Sequence, residues 1–399
     1  MGEVRELNLT TVLRLIHQQK VCSRADLAQN TGLQQSTITN ITNLLIDCGI
    51  VTETGIIEGR KGRRSIGITL AKDKYQVVGA RLSRDNYSVE RFFIDGTHDA
   101  VVSHNFEPNP DIMDVLEAIC RDVQRMIDTA GLPIAAIGFS VPGPFKVHEG
   151  RFMNITYMNG MEKISLRDFF EDRFAAPIYI EHDANAGILA EKWFGLNHLE
   201  KGTYVYIAAG TGVGAGVMID GRVFHGRIGI AGEIGHMSIN CNGPRCACGN
   251  VGCLELYSSA HAISETVRKQ ARERQRQTSA ASFAFGDILE AYRQGDALAT
   301  EAILESADYM ARGIVNIMNV LNPDGIIIGD LVSKAGTPYF ERIRQTAARY
   351  ISKDVFDTTA FYLSSFSQDA ALVGAGALAI DNAFRRPMQL IDLVRQNGG

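Results

Sequence analysis

The sequence predicts an N-terminal winged helix-turn-helix followed by an α/β body of two lobes. Three observations carry that expectation. The segment Gln35–Cys48 sorts, at helical spacing, into an apolar face and a polar face without charge. A loop rich in glycine and basic residues, Glu58-Gly59-Arg60-Lys61-Gly62-Arg63-Arg64, follows it between two short strand-like runs. Beyond residue 75, strand patterns alternate with helical ones in what reads as two similar halves.

Bulk properties bound the function. A chain of 399 residues is long enough for two or three domains. Its net charge of −5 excludes a basic nucleic-acid coat, so any DNA contact comes from a local patch. The composition, 45% hydrophobic and 21% charged, is that of a globular protein. Met1-Gly2-Glu3-Val4-Arg5 leads into no apolar stretch, so no signal peptide is expected, and Glu6 stands where myristoylation wants Ser or Thr. No apolar run approaches the roughly eighteen residues of a membrane span. Cys22, Cys48 and Cys120 are scattered, as expected in a reducing compartment, and a cytoplasmic location with no membrane partner is expected.

In the head, Leu9, Val12, Leu13, Leu15 and Ile16 recur at helical spacing behind Asn8, which suits an N-cap. A second helix is expected from Ser23, then a turn at Thr31-Gly32-Leu33, then the third helix, with Gly49 suited to end it. Ile38, Ile41, Leu44, Leu45 and Cys48 share the third helix's inner face. Gln35, Ser36, Thr39, Asn40 and Asn43 share the other, and amides and hydroxyls suit base edges and phosphates. Strands Ile50–Thr54 and Ser65–Leu70 flank the basic loop, so Arg60, Lys61, Arg63 and Arg64 read as a wing on the phosphates or in a minor groove. A charge run of this kind is also what a solvated loop shows.

The body begins after the polar joint Ala71–Lys74. Strands are expected at Val77–Leu82, Tyr87–Ile94, His98–Phe106, Ile134–Ser140, Tyr204–Ala209, Ala215–Ile219 and Gly325–Gly329, and helices at Asp111–Ala130 and Ala370–Ala379. Val141-Pro142-Gly143-Pro144 ends one strand abruptly. Ala209–Gly216 is a glycine-rich turn; its amides can cradle a phosphate, and it equally suits a tight hairpin. The densest chemistry lies between Glu233 and Glu255, which hold His236 and four of the seven cysteines, Cys241, Cys246, Cys248 and Cys253. Sulfur and imidazole at this density suit a closed tetrahedral zinc; a disulfide cluster or buried thiols is the alternative.

These motifs resemble the signature of the ROK family of repressors, open reading frames and kinases: Glu-x-Gly-His, a short gap, then Cys-x-Cys-Gly-x-x-Gly-Cys-x-Glu. The match is Glu233, Gly235, His236, Cys246, Cys248, Gly249, Gly252, Cys253 and Glu255. The resemblance implies an actin-like, two-lobed fold from about residue 75 onward and structural zinc on His236, Cys246, Cys248 and Cys253. Cys241 stands outside the pattern and competes as a fourth ligand. It implies sugar contacts from Glu233, His236 and Glu255, from Asp183 in Asp183-Ala184-Asn185-Ala186, and from Asn154, where Met153 replaces the family's proline. Asp183 equally suits the cap of a helix Ala184–Phe194, and Asn154 a turn.

ROK kinases open the first lobe with Asp-x-Gly-Gly-Thr; here that place reads Val78-Gly79-Ala80-Arg81-Leu82-Ser83-Arg84-Asp85. Without the aspartate and the glycine pair, phosphoryl transfer lacks half its phosphate cradle, so no kinase activity is expected. Ala25–Val51 resembles the DNA-binding domains of the family's sugar repressors. The expected domains are the reader at 1–70, a first lobe at 71–185, and a second lobe at 186–379 with the zinc site and sugar-binding residues. A C-terminal helix near 380–399 is expected to return to the first lobe. The expected function is a transcriptional regulator, a repressor, acting on palindromic operator DNA as a homodimer or homotetramer under control of a sugar or sugar phosphate. An active carbohydrate kinase with a DNA-binding appendage is the second reading.

Overall fold

The computed structural model describes residues 2–58, 64–107, 110–153, 160–196, 199–273, 277–366 and 369–397. The wing residues Arg60, Lys61 and Arg63, and Asn154, lie outside them.

The head holds α1 (Gly2–Gln19), β1 (Cys22–Ser23), α2 (Arg24–Thr31), α3 (Gln35–Asp47), β2 (Val51–Glu58) and β3 (Arg64–Leu70). The strands pair in the order β1-β3-β2, the sheet of a winged helix-turn-helix. Ser23 caps α2 in a reciprocal box with Asp26, and Gly32 turns the chain at φ +70°. Helix α1 starts six residues before the expected cap, so Asn8 lies within it rather than at its end. The apolar stripe Leu9, Val12, Leu13 and Ile16 fixes only the buried turns of α1. Its first turns reach solvent, where Val4 and Leu7 are exposed, and the stripe gives no sign of them.

The first body sheet contains β4 (Gln76–Leu82), β5 (Asn86–Phe93), β6 (His98–Asn105), β7 (Ile134–Val141) and β10 (Ile178–His182), in the order β10-β7-β4-β5-β6. Between them run α4 (Ile112–Asp128), the ribbon β8 (Phe145–Lys146) and β9 (Arg151–Phe152), and α5 (Leu166–Glu171). Helix α6 (Asp183–Phe194) leads to the second sheet. That sheet contains β11 (Thr203–Ala209), β12 (Val213–Ile219), β13 (Arg222–Val223), β14 (Gly325–Gly329) and β15 (Ala360–Leu363), in the order β13-β12-β11-β14-β15. Each sheet is an antiparallel three-strand meander extended by two parallel strands, so the two halves are a topological repeat. This is the two-lobed actin-like architecture. Strands β7 and β14 are buried along their full length, which is why they read as unbroken apolar runs.

The second sheet is covered by α10 (Ala297–Leu321) and α12 (Thr337–Tyr350), joined by α7 (Glu255–Ser258), α8 (Ala260–Glu273), α9 (Phe285–Arg293), α11 (Asp330–Ser333) and α13 (Lys353–Thr358). Helix α14 (Ala370–Arg385) packs on the first sheet and on α6, and α15 (Pro387–Asn397) follows it. The return to the first lobe therefore comes at Ala370, ten residues before the expectation. The run of small residues is the reason: a Cβ on Gly138 would lie 1.9 Å from Ala375 O, and one on Gly374 1.9 Å from Ala186 O. The helix passes so close to both neighbours that only small side chains fit.

Candidate functional site

The cleft is built at the C-terminal ends of strands from both sheets, where open α/β sheets bind ligands. From the first sheet come Arg81, the turn Ser83-Arg84-Asp85 after β4, and the β10–α6 junction. From the second come the glycine turn between β11 and β12, Asp330 after β14, and the segment from Glu233 to Glu255.

Asp183 is the first residue of α6 rather than its cap. Its Oδ1 accepts the Ala184 N–H at 2.7 Å and lies 3.0 Å from His182 Nε2. His182 faces Gly143, where a Cβ would meet its Nε2 at 2.3 Å and Glu233 Oε1 at 3.1 Å. Burial pushes the Glu233 carboxyl above the usual carboxylate range, with Asp183 and Glu255 adding to it and His182 and His236 opposing it. The same method places the neighbours of the glycine turn. A Cβ on Gly212 would lie 3.4 Å from Glu255 Oε2 and 3.6 Å from Arg84 Nη2; one on Gly214 would lie 3.5 Å from His182 Cε1. Asp183, Glu233 and Glu255 thus surround one space, with His182 and Arg84 beside them. Among the residues named from the sequence, Asp183, Glu233, His236 and Glu255 come together.

The loop after Glu233 carries a second cluster. One ligand atom each from His236, Cys246, Cys248 and Cys253 lie within 4.8 Å of one another. The Cys248 and Cys253 sulfurs are 3.7 Å apart, and the Cys246 sulfur is 3.8 Å from His236 Nδ1. Zinc–sulfur bonds of about 2.3 Å at tetrahedral angles space sulfurs by about 3.8 Å, whereas a disulfide needs about 2.05 Å. The four residues fit a metal ion and not a disulfide, and all seven cysteines are free thiols. Cys241 is exposed and outside the cluster. His236 serves two sides at once: Nδ1 faces the sulfurs and Glu255 (3.2 Å), and Nε2 faces Glu233 (3.9 Å).

Sequence reading passed over two features of the cleft. Arg81, which appears there only within the altered opening segment of the first lobe, extends to Asp369, with Nη1 2.7 Å from Oδ2. Asp330, Asp183 and Asp85 act on the same charge. Asp330 is a non-glycine residue at φ +64°, and a Cβ on Gly210 would lie 2.3 Å from its Oδ2. Burial pushes its carboxyl up to about 6, with Arg81 opposing and Asp183 and Asp369 adding to the shift. The signal available was an acidic residue after a buried strand ending in glycine, at the edge of a glycine-rich turn. The second feature joins the lobes: Glu181, buried on β10, holds His225 Nε2 at 2.7 Å from the loop after β13.

In the head, Gln35, Ser36, Asn40 and Asn43 are exposed on α3 and Thr39 is half-buried. Arg24 ties this helix to its neighbours, donating to Thr42 Oγ1 (3.0 Å), Asn43 Oδ1 (3.2 Å) and Glu53 Oε1 (3.1 Å). Arg64 is exposed at the start of β3, opposite Glu58 in the hairpin. No helix among the described residues is long and apolar enough to cross a membrane.

A helix-turn-helix head on a two-lobed actin-like body, with a His/Cys cluster at the cleft, defines a class of regulator-like proteins built on a sugar-kinase fold. The ROK family model matches residues 89–382, and the chain belongs to the ROK family. It is similar to the xylose repressor of Caldicellulosiruptor bescii, 29% identical over 395 residues that cover 96% of this chain and 98% of that protein. It is 30% identical over 339 residues to the DNA-binding transcriptional dual regulator NagC of Escherichia coli K12, covering 83% of this chain and 82% of NagC. Among solved structures, a ROK family transcriptional regulator homologous to the E. coli MLC protein matches with TM-score 0.82 and 27% identity, over 98% of this chain and 100% of that one. A ROK family glucokinase from Streptomyces griseus, in complex with glucose and AMPPNP, shares the fold (TM-score 0.68, 24% identity). It covers 76% of this chain and 99% of its own.

Asp330 generates a pH prediction. Its folded pKa lies above that of free aspartate, so the folded chain takes up this proton first as pH falls. The group therefore costs stability above about pH 6, and that cost is relieved as pH falls toward about 4. Asp330→Asn, which keeps a side chain tolerant of left-handed backbone, is expected to raise the unfolding free energy at pH 7.5 by about 1–3 kcal/mol. Urea denaturation at pH 7.5 and pH 4 checks this; an Asn variant no more stable than wild type at pH 7.5 contradicts it.

Proposed function

We propose that this chain is a transcriptional repressor of carbohydrate-metabolism genes, released from or directed to its operator by a sugar or sugar phosphate in the cleft. The observation that carries this reading is coverage. The xylose repressor and the solved ROK regulator cover 96% and 98% of this chain, and so head and body together, whereas the glucokinase covers 76%. Asp183, Glu233 and Glu255 are the proposed acceptors for sugar hydroxyls, with His236 Nε2 beside them and Asn154 completing the set. A carboxylate that accepts a hydroxyl proton binds sugar as well in a receptor as in a catalyst. Arg81, paired with Asp369 and adjoined by Asp330, stands where kinases of this fold need bare backbone for phosphates. Carboxylates there repel a nucleotide, and this supports a receptor without phosphotransfer.

In the head, Gln35, Ser36, Thr39, Asn40 and Asn43 are the proposed groove readers, and Arg60, Lys61, Arg63 and Arg64 the phosphate contacts of the wing. The working form is a homodimer or homotetramer in the cytoplasm, its paired readers meeting half-sites one helical turn or a multiple apart. Zinc is the proposed metal, held by His236, Cys246, Cys248 and Cys253. When bound it supplies a structural crosslink that fixes the loop ending at Glu255, and His236 presents its other nitrogen to Glu233.

Four measurements test these assignments. A melting screen against pentoses, hexoses, amino sugars and their phosphates is expected to find a ligand that raises the wild-type midpoint. The same ligand is expected to change affinity for duplexes selected from a random pool. Asp183→Asn should weaken that ligand by tenfold or more, roughly 1.4 kcal/mol or above, in a protein that still binds the selected duplexes. Sugar-dependent ADP release from ATP at ordinary enzyme rates would instead establish the kinase reading. Cys248→Ser is expected to lose zinc in metal analysis and to lower the melting midpoint; one full equivalent retained by that variant refutes the ligand set.

A further inference from the structure

Two helices begin in the cleft and end on the DNA reader. Helix α6 opens with Asp183. Helix α14 is capped by Asp369, whose Oδ1 accepts the Ala371 and Leu372 N–H groups at 3.1 Å while Oδ2 holds Arg81. At 1.5 Å per residue, their 12 and 16 residues span about 18 and 24 Å. They are packed without slack: Gly374, in the second turn of α14, sits against the Ala186 carbonyl, in the first turn of α6. The helices therefore run side by side in the same direction.

Their far ends meet α1. Trp193, near the end of α6, packs on His17 with ring centroids 4.3 Å apart, and Phe194 lies at 6.0 Å from the same ring. On α14, the buried Asp381 holds Arg14 at 2.7 Å, and Phe384 O accepts the Thr10 hydroxyl at 2.9 Å. Asp381 also holds Arg385 at 2.7 Å. Burial acts to raise the Asp381 carboxyl, and Arg14, Arg385 and Lys192 outweigh it, so the group stays charged. Burial drives His17 down to about 3, so it packs as a neutral ring. Leu9, Val12, Leu13 and Ile16 of α1 share one continuous core with Ile38, Ile41 and Leu45 of α3 and with Trp193 and Phe384. A shift of either helix along its axis moves the seat of the reader.

We propose that α6 and α14 form a paired rod coupling the cleft to the reader, latched at one end by Arg81–Asp369 and clasped to α1 at the other by Arg14–Asp381. The inference gives a physical route to the sugar response proposed above, and rests on that reading for its biological meaning. Arg81 and Arg14 are positioning residues in it. Arg81 lies among Asp183 and Asp330 as well as Asp369, so any ligand that engages Asp183 alters the balance that holds the latch. The rod is a two-ended element that both sites bias, which is what coupling between them requires.

Trp193 is the chain's single tryptophan and lies at the clasp, so the full-length protein reports on itself. Arg81→Met is made alone and together with Arg14→Met, and studied without sugar or DNA. Arg81→Met alone is expected to shift Trp193 emission to the red. It should also speed amide exchange in α1 by roughly tenfold while α10, in the other lobe, exchanges as in wild type. With Arg14→Met already present, Arg81→Met should add little. A folded Arg81→Met protein with wild-type emission and α1 exchange overturns the proposal. So do effects that simply add, or exchange raised equally in α10, the mark of general destabilisation. If Arg81→Met does not fold, Arg81→Lys keeps the charge, loses the fork geometry and carries the same expectations. Because neither sugar nor operator enters, this test can fail while the sugar screen succeeds, and the reverse.

Discussion

The ion pair between Arg81 and Asp369 is the constraint on which the cleft depends. It joins the first strand of the first sheet to the cap of α14, across 288 residues of sequence. Four carboxylates act on the one guanidinium. Remove that charge and Asp183, Asp330 and Asp369 are left facing one another in a partly buried space, where like charges repel. The same guanidinium supports the receptor without phosphotransfer proposed above.

The His/Cys loop serves that cleft from the other side. Its backbone has to double back within a few residues to bring Cys246, Cys248 and Cys253 to His236, and Gly249 and Gly252 turn it at φ +94° and +68°. Gly252 has a further reason to be glycine: a Cβ there would lie 1.8 Å from Asn240 O. The cluster lies beside Glu255 and, through the His236 ring, faces Glu233. Order in the loop and direction of the cleft carboxylates are therefore a single property.

Much of this was legible in the sequence, for reasons that differ by element. Strands β7 and β14 read correctly because burial on both faces leaves an unbroken apolar run. Helix α3 read correctly because its two faces differ in chemistry; the four residues of the cluster were implied by the resemblance to the ROK signature, and their side chains do gather. The start of α1 and the place of α14 were not legible. Solvent-exposed turns of a helix carry no periodic mark, and a run of alanine and glycine announces a close approach without saying to what. The latch was invisible for a related reason: nothing local to Arg81 points to Asp369. Asp183 was read as either helix cap or cleft acceptor; it heads the helix as its first residue and lines the cleft as well.

We propose that the chain's own side chains occupy the place a nucleotide takes in kinases of this fold. Calorimetric titration of the full-length protein with magnesium and AMPPNP tests it most directly. No saturable heat is expected up to millimolar nucleotide, corresponding to less than about 4 kcal/mol of binding free energy. Stoichiometric binding with a micromolar dissociation constant would contradict it.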